Sequence, residues 1–357
     1  MPIVEAYRKE KILYYFGAGA SAKALPLARS VWSDKMPAGM PGLGVENKVM
    51  PEIKGLAYEL DNFLNGGIAV SNDTIKSGSK FDKLRDECKQ LAQKADEFGD
   101  VDTYAKFLHL KNPGGKELNR LKHLLSCYFS IKQTAHNAKD SRYIPWLVGI
   151  MNENAFPANV KILSWNYDSQ IQIAAKMFNE HEDAYYDVDS FDIRVPLIPD
   201  ISTRPTLRKT NKFSLIQLNG RAGCTDFRTA NKQSVFYKRN CKDFHSVINF
   251  LHEEDHAAAL HFAWENDGFH NDLMNDVLKM VTDVTIVVVI GYSFPFYNRE
   301  VDKRIFNQIL AGQKLHKIYY QDPRLNGQQL KAQFGLKEDI NIVHIDQTDN
   351  FHIPFEY

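Results

Sequence analysis

The feature that most constrains the fold is a continuous apolar run in the last third of the sequence. Residues 284–290 read Val-Thr-Ile-Val-Val-Val-Ile, and all of them are β-branched. A strand with one face in water alternates apolar and polar residues, whereas a strand of a parallel sheet is buried on both faces and is apolar throughout. The run therefore predicts a central strand of a parallel sheet that is covered by helices on both sides.

Shorter runs of the same kind alternate with helical patterns along the chain. Strands are predicted at 12–16, 160–164, 213–218, 317–321 and 341–345, and helices at 168–179, 249–281 and 298–310. This alternation predicts an α/β protein with a Rossmann-like, doubly wound, mostly parallel sheet. In such sheets ligands bind at the carboxyl ends of the strands.

The segment 51–156 interrupts the alternation with helical spacing and many lysines. We expect it to be an inserted helical subdomain, and we expect residues 1–50 and 157–357 to form the Rossmann-like nucleotide-binding domain. The Pro- and Gly-rich stretch 36–44 is typical of a surface loop, or of a mobile flap.

Composition excludes several classes of protein. Lys and Arg together number 44 and so do Asp and Glu, which leaves no basic field for nucleic acid or an anionic membrane. No apolar stretch approaches the roughly 20 residues of a membrane span, and the first ten residues are polar, so we expect a cytoplasmic protein. The four cysteines form no C-x-x-C pair, which favours reduced structural thiols over disulfides or a zinc ribbon.

A glycine turn follows the first predicted strand, with the sequence Gly17-Ala18-Gly19-Ala20-Ser21. Glycines permit a sharp turn and close approach to a ligand, and Ser21 is a favourable N-cap for a helix whose free N–H groups attract anions. The turn is therefore a candidate phosphate site. The third glycine of the dinucleotide fingerprint is absent, and such a turn is equally compatible with a plain connection.

Three further motifs follow later strands: Ser-Trp-Asn-Tyr-Asp at 164–168, Asn-Gly at 219–220 and Gly-Tyr-Ser-Phe at 291–294. Ala-Leu-Pro at 24–26 stands shortly after the glycine turn. In this order the chain resembles the sirtuin-like family, and in particular its prokaryotic defence-associated branch, which hydrolyses NAD. The resemblance covers most of the chain outside the helical insertion.

The resemblance implies a role for each motif. Asn166 would orient the ribose and the attacking group, Asp168 would support the site or contact the nicotinamide side, and Asn219 occupies the third catalytic position. The residues that it assigns to nucleotide binding are Gly17, Ala18, Gly19, Ala20, Ser21, Pro26, Gly291, Tyr292, Ser293 and, after a later strand, Asp322. An Asn after a strand is also a common helix N-cap, which is the structural alternative for Asn166.

The sequence departs from the family at one catalytic position, because Asn219-Gly220 stands where the family has His-Gly. An amide cannot accept a proton at neutral pH. Catalysis would then rely on Asn166 and solvent, or another histidine enters the site, or the protein is a weakly catalytic NAD-binding or assembly module. Protein deacetylation is not expected, because only Cys224 and Cys241 lie where deacetylating sirtuins carry four zinc-binding cysteines.

One motif suggests a different class of enzyme. His252-Glu253-Glu254-Asp255-His256 matches the H-E-x-x-H zinc motif, and His261, Glu265 or His270 would supply a third ligand. The charged residues between the two histidines favour an exposed helix instead, so we expect no metal site.

The resemblance also implies ligands and partners. NAD or a related adenine nucleotide would be the substrate, with no prosthetic group. The protein would act as an effector of bacterial antiviral defence, as a homo-oligomer or with a separate helicase-like ATPase.

Overall fold

The structure is a computed structural model. It describes residues 10–25, 80–98, 101–134, 137–151, 157–177, 191–194, 213–225, 258–265, 268–323 and 327–357. The strands are β1 (Ile12–Phe16), β2 (Val160–Ser164), β3 (Phe191–Arg194), β4 (Phe213–Gln217), β5 (Gly220–Thr225), β6 (Ala258–Leu260), β7 (Ile286–Ile290), β8 (Lys317–Gln321) and β9 (Asn341–Ile345). The α-helices are α1 (Lys80–Phe98), α2 (Val101–Lys111), α3 (Lys116–Thr134), α4 (Tyr143–Ile150), α5 (Gln170–Lys176), α6 (Gly268–Val281), α7 (Arg299–Ala311) and α8 (Gly327–Phe334).

Seven strands form one parallel sheet in the order β3-β4-β2-β1-β7-β8-β9. From β1 the chain proceeds to one side of the sheet, and β7 later begins the other side. The strand order therefore reverses between β1 and β7, which makes this the topological switch point of the sheet. The fold is α/β and Rossmann-like, as predicted.

Helices cover both faces of the sheet. Side chains alternate along β1, so Tyr14 and Phe16 pack with α4 and α5, while Leu13 and Tyr15 pack on the opposite face with α6, α7 and α8. All five residues of β1 and of β7 are buried. This burial on both faces explains why these two strands contain no charged residues.

A third cluster joins α1, α2 and α3 to the antiparallel pair of strands β5 and β6. Cys88 and Cys127 lie buried in it as free thiols. Helix α4, which lies within the segment 51–156, packs on the sheet itself. The proposed domain boundaries stay a prediction.

Every strand predicted from the sequence is present, although the predicted helix over 249–281 is wrong in part. Residues 258–260 form β6, and α6 begins only at Gly268. The alanines of β6 favour a helix locally, but pairing with β5 overrides that weak preference. Within the described residues, none of the helices is long and apolar enough to cross a membrane.

Candidate functional site

The predicted site residues line the carboxyl edge of five adjacent strands. Asn219 follows β4, Asn166 follows β2, the glycine turn follows β1, Gly291 follows β7 and Asp322 follows β8. Strands lie about 4.8 Å apart, so this row spans about 19 Å across the switch point. Motifs that are far apart in sequence thus lie side by side where doubly wound sheets bind nucleotides.

The glycine turn packs directly against the exit of β7. Gly17 N–H donates to the Ile290 carbonyl oxygen at 3.0 Å, and Gly19 N–H donates to that of Gly291 at 2.9 Å. A Cβ added at Gly19 would lie 2.7 Å from the Gly291 Cα, and one added at Gly291 would lie 2.4 Å from the Gly19 carbonyl carbon. These glycines are therefore required for contact between two backbones, and pyrophosphate binding by this turn stays a prediction.

Ser21 ends the 3-10 turn of residues Ala18–Ser21, and no α-helix begins in the described residues 22–25 that follow it. The Ser21 Oγ lies 2.9 Å from the Tyr143 hydroxyl and accepts a hydrogen bond from Asn166 Nδ2 at 3.3 Å. The expected N-cap at Ser21 is therefore not formed. The hydroxyl instead joins the turn after β1 to the residue that the resemblance makes catalytic.

Asn166 is held on three sides. Its N–H donates to the Ser164 hydroxyl at 3.2 Å, its carbonyl oxygen accepts from Gln217 Nε2 at 3.3 Å, and its side-chain amide donates to Ser21. Helix α5 begins later, with Ser169 at its N-cap position. Asn166 is thus not a helix cap, which removes the structural alternative for this residue.

Asp168 is a buried carboxylate beside Asn166. Its Oδ1 accepts from the Gln170 N–H at 3.0 Å, and its backbone oxygen accepts from Gln217 Nε2 at 2.6 Å. Burial raises the pKa of Asp168 to about 6, although hydrogen bonds from Gln170 and Ser21 oppose the shift. The group is therefore able to exchange a proton near neutral pH.

Asn219 presents an unused acceptor to the same region. Its Nδ2 donates to the Trp165 carbonyl oxygen at 3.1 Å, which fixes the orientation of the amide. Its side chain is 8% exposed, and Oδ1 has no hydrogen-bond partner among the described residues. A buried acceptor without a partner is costly, so this atom is suited to receive a donor from a ligand.

The backbone of a histidine lies beside that of Asn219. The register of β5 and β6 places Gly220 opposite Leu260, and His261 N–H donates to the Asn219 carbonyl oxygen at 2.8 Å. This hydrogen bond extends the pairing of the two strands by one position, so the backbones of Asn219 and His261 lie side by side. Because the sequence predicted a helix over 249–281, it did not predict that His261 lies beside Asn219.

Arg142 is a residue that sequence reasoning missed. Its Nη2 donates to the Gly19 and Ala20 carbonyl oxygens at 3.1 and 3.0 Å, and its Nη1 donates to the Thr348 oxygen at 3.1 Å. The Asp140 carboxylate binds the same guanidinium at 2.6 and 2.8 Å. Only the Asp-x-Arg spacing before α4 would have pointed to this ion pair.

The segment that contains Thr348 packs against β1. The Tyr14 hydroxyl donates to the His352 carbonyl oxygen at 3.2 Å, and the ring of Phe351 lies 5.5 Å from that of Phe16. Lys23, just after the glycine turn, forms an ion pair with Asp349. Residues 348–352 therefore help to hold the glycine turn and β1 in place.

The other predicted residues differ in exposure. Ala18 and Ser293 are exposed, Asp322 is half-buried, and Tyr292 is buried with its hydroxyl bound to Asp302 at 2.8 Å. The His344 ring contacts the Asp322 carbonyl oxygen at 2.7 Å. Pro26 and the stretch 36–44 lie outside the described residues.

The zinc motif at His252–His256 also lies outside the described residues. Of its suggested third ligands, Glu265 forms a buried ion pair with Lys122 at 2.6 Å. In the part of the chain that the structure describes, no three acidic, His or Cys side chains are grouped to hold a metal ion.

Comparison with protein-family models and with curated proteins finds no match for this chain. The resemblance to the sirtuin-like family therefore stays a prediction from the sequence motifs.

Proposed function

We propose that the protein is an NAD glycohydrolase of the sirtuin-like class. The observation that carries the proposal is the Asn166 amide, which Ser21 holds at the end of β2, one strand from the switch point, in a region that also contains buried Asp168 and Asn219. Residues from three separate sequence motifs lie together there. The side chains of Ser21, Asn166 and Asn219 cap no helix within the described residues. Dinucleotides bind across this position in doubly wound sheets.

The proposed reaction breaks the bond between the nicotinamide nitrogen and ribose C1′. Water adds its oxygen to C1′ and gives up one proton, so the products are nicotinamide, ADP-ribose and a proton. Positive charge develops on the ribose in the transition state, which fixed dipoles stabilise in a site that excludes bulk water. Asn166 supplies such a dipole and orients the ribose, and Asp168 supplies a buried negative charge nearby.

The proton from water requires an acceptor that Asn219 cannot provide. Asp168 is one candidate because burial raises its pKa to about 6. His261 is the other, because its backbone lies beside that of Asn219. Asn219→His would place an imidazole at the family's position, and we expect cleavage to be preserved or increased in that variant.

The test is to incubate the purified protein with NAD and to separate nicotinamide from ADP-ribose by chromatography. We expect Asn166→Ala to lower the rate by at least about 100-fold, the loss typical of one transition-state donor. Asn159→Ala is the matched control, because Asn159 precedes the same strand at its opposite end and donates to the Glu10 carbonyl oxygen. Equal rates in wild type and Asn166→Ala would contradict the catalytic assignment.

A nucleotide-binding or assembly module is the second candidate function. The Oδ1 of Asn219, which has no partner in the described part of the chain, favours it, since this atom can bind a ribose hydroxyl but cannot activate one. ADP-ribose would then raise the melting temperature, while NAD would remain intact during long incubation. Nicotinamide release by wild type would exclude this candidate.

The biological setting is proposed from the resemblance alone. We propose a cytoplasmic effector of antiviral defence, active as a homo-oligomer or with a helicase-like ATPase. NAD assays with and without the product of a neighbouring gene, together with mass measurement in solution, test this part. NAD consumption that is independent of any added protein would contradict partner-dependent activation.

A further inference from the structure

A buried carboxylate lies beneath the candidate site, on the face covered by α7. Asp302 has no exposed surface. Its Oδ1 accepts hydrogen bonds from the Tyr15 hydroxyl at 2.5 Å and from Trp165 Nε1 at 3.2 Å. Its Oδ2 accepts from the Tyr292 hydroxyl at 2.8 Å. Both carboxylate oxygens are therefore bound by side chains of other elements.

The three donors belong to the three segments that carry the site. Tyr15 lies two residues before Gly17, Trp165 directly precedes Asn166, and Tyr292 directly follows Gly291. Asp302 thus connects the ends of β1, β2 and β7 through one side chain.

The connection extends to Asn219, after β4, through Trp165. The Trp165 carbonyl oxygen accepts the hydrogen bond that orients the Asn219 amide. The rings of Trp165 and Tyr292 are stacked with centroids 6.0 Å apart and planes 12° from parallel. A shift of Trp165 would therefore move both Asn166 and Asn219.

A carboxylate in this place is more than a space-filling group. Burial raises the pKa of Asp302 to about 7, and the hydrogen bonds from Tyr15, Tyr292 and Trp165 oppose that rise. An apolar residue of similar volume would fill the same space without desolvating a charge. What the carboxylate adds is direction, because it accepts three donors at defined angles.

We propose that Asp302 is a positioning residue, which holds Asn166 and Gly291 in register with the glycine turn through Trp165, Tyr292 and Tyr15. This inference rests on the proposed NAD-cleaving function. Asp302 itself contacts no reacting atom in this scheme. It acts by keeping the side chains above it in their catalytic geometry.

The first measurement is NAD cleavage by Asp302→Asn and Tyr15→Phe. We expect kcat to fall by about 10- to 100-fold in Asp302→Asn, since small displacements of a catalytic group have effects of this size, with KM changed less than about threefold. Tyr15→Phe removes one donor and keeps the ring, and we expect a smaller fall in kcat. Tyr14→Phe is the matched control, because its hydroxyl lies on the other face of β1 and binds His352.

The second measurement is hydrogen exchange of backbone amides, which does not depend on activity. Trp165 N–H donates to the Phe16 carbonyl oxygen at 3.0 Å, and Gly17 N–H donates to that of Ile290. We expect exchange at both amides to be at least about tenfold faster in Asp302→Asn and unchanged in Tyr14→Phe.

The outcomes separate the two proposals. An active wild type with unchanged kcat and exchange in Asp302→Asn would overturn the positioning role and leave the proposed function standing. The positioning role of Asp302 is also overturned if Asp302→Asn changes kcat and KM no more than the control Tyr14→Phe does. If wild type cleaves no NAD either alone or with the added partner protein, the proposed function fails, and exchange at Trp165 and Gly17 alone then decides whether Asp302 positions this edge.

Discussion

The carboxyl edge of the sheet has two parts that differ in how they use their polar groups. At the ends of β1 and β7, backbone N–H and carbonyl groups bind each other across the switch point. At the ends of β2 and β4, side-chain amides occupy the edge, and the Oδ1 of Asn219 has no partner among the described residues. The first part is closed by its own backbone, whereas the second retains capacity for a ligand.

This difference teaches that packing alone accounts for the glycines of the turn, while their role in pyrophosphate binding stays a prediction. The glycine turn is explained by packing, since no side chain fits between Gly19 and Gly291. The amides at Asn166 and Asn219 have no comparable structural explanation. Chemistry at this edge is therefore best sought at β2 and β4.

The largest expected effect is a loss of stability when the backbone contact between the ends of β1 and β7 is disrupted. Gly291→Ala places a Cβ 2.4 Å from the Gly19 carbonyl carbon at a residue with φ of 58°. We expect the free energy of unfolding to fall by about 2–5 kcal/mol, from overpacking and from the left-handed backbone together. Urea unfolding followed by circular dichroism measures the loss.

Gly335→Ala is the control for Gly291→Ala. Gly335 has a similar φ of 60°, but a Cβ there meets nothing within 4 Å. We expect only the conformational cost of about 1–2 kcal/mol. Equal losses at the two positions would show that backbone conformation, and not crowding, explains Gly291.

An intermediate effect concerns the pH dependence of stability. It compares Asp168, after β2, with Asp302, which lies beneath the edge on α7. The pKa of Asp302 is raised to about 7 and that of Asp168 to about 6, in both cases first by burial. Each group keeps a proton in the folded state that the unfolded state has already lost above about pH 4. Their contributions to stability are therefore full below about pH 4 and are lost as pH rises through the raised pKa.

Replacing one carboxylate removes its part of this pH dependence. As pH rises from about 4 to 7, the free energy of unfolding of Asp302→Asn should increase relative to that of wild type. For Asp168→Asn the same relative increase should occur between about pH 4 and 6. The slope of the difference is at most about 1.4 kcal/mol per pH unit. Unfolding free energies in urea at several pH values measure this. Asp349→Asn, at an exposed side chain, is the control. Parallel curves for wild type and both variants would contradict the raised pKa values.

The smallest expected effect is at Asn219. Asn219→Ala removes one hydrogen bond, to the Trp165 carbonyl oxygen, and an acceptor without a described partner. We expect a loss of about 0.5–1.5 kcal/mol in the free energy of unfolding. Gln217→Ala should cost more, because the Gln217 amide bonds with Asn166, Asp168 and Gln172. A larger loss at Asn219 than at Gln217 would show that Asn219 is structural.

The sequence was sufficient for six of the seven strands of the sheet, because each of the six contains a run rich in apolar residues. The bounds predicted at 160–164, 317–321 and 341–345 agree with β2, β8 and β9. By contrast, β3, β5 and β6 were not predicted. Gly220–Thr225 contains two glycines and an arginine, so only its pairing with β6 defines it as a strand.

The candidate site was predictable only in part, for a similar reason. Asn166, Asp168 and Asn219 follow apolar runs, so their place at the carboxyl edge follows from the fold. Asp302 is followed in the sequence by Lys303 and Arg304, so it resembles one more charged residue on an exposed helix face, although the folded chain buries it. Its three donors come from positions 15, 165 and 292, a relation that only the folded chain reveals.

The packing of residues 348–352 against β1 has a consequence for the order of folding. The Tyr14 hydroxyl and its acceptor on His352 are 338 residues apart, and Arg142 and Thr348 are 206 apart. Contacts between such distant residues form slowly, and on a ribosome they cannot form until the later partner has emerged. The glycine turn therefore gains these supports only after residues 348–352 have emerged. A nascent chain that has not yet reached these residues would lack two contacts that hold the candidate site, those of Tyr14 and Arg142.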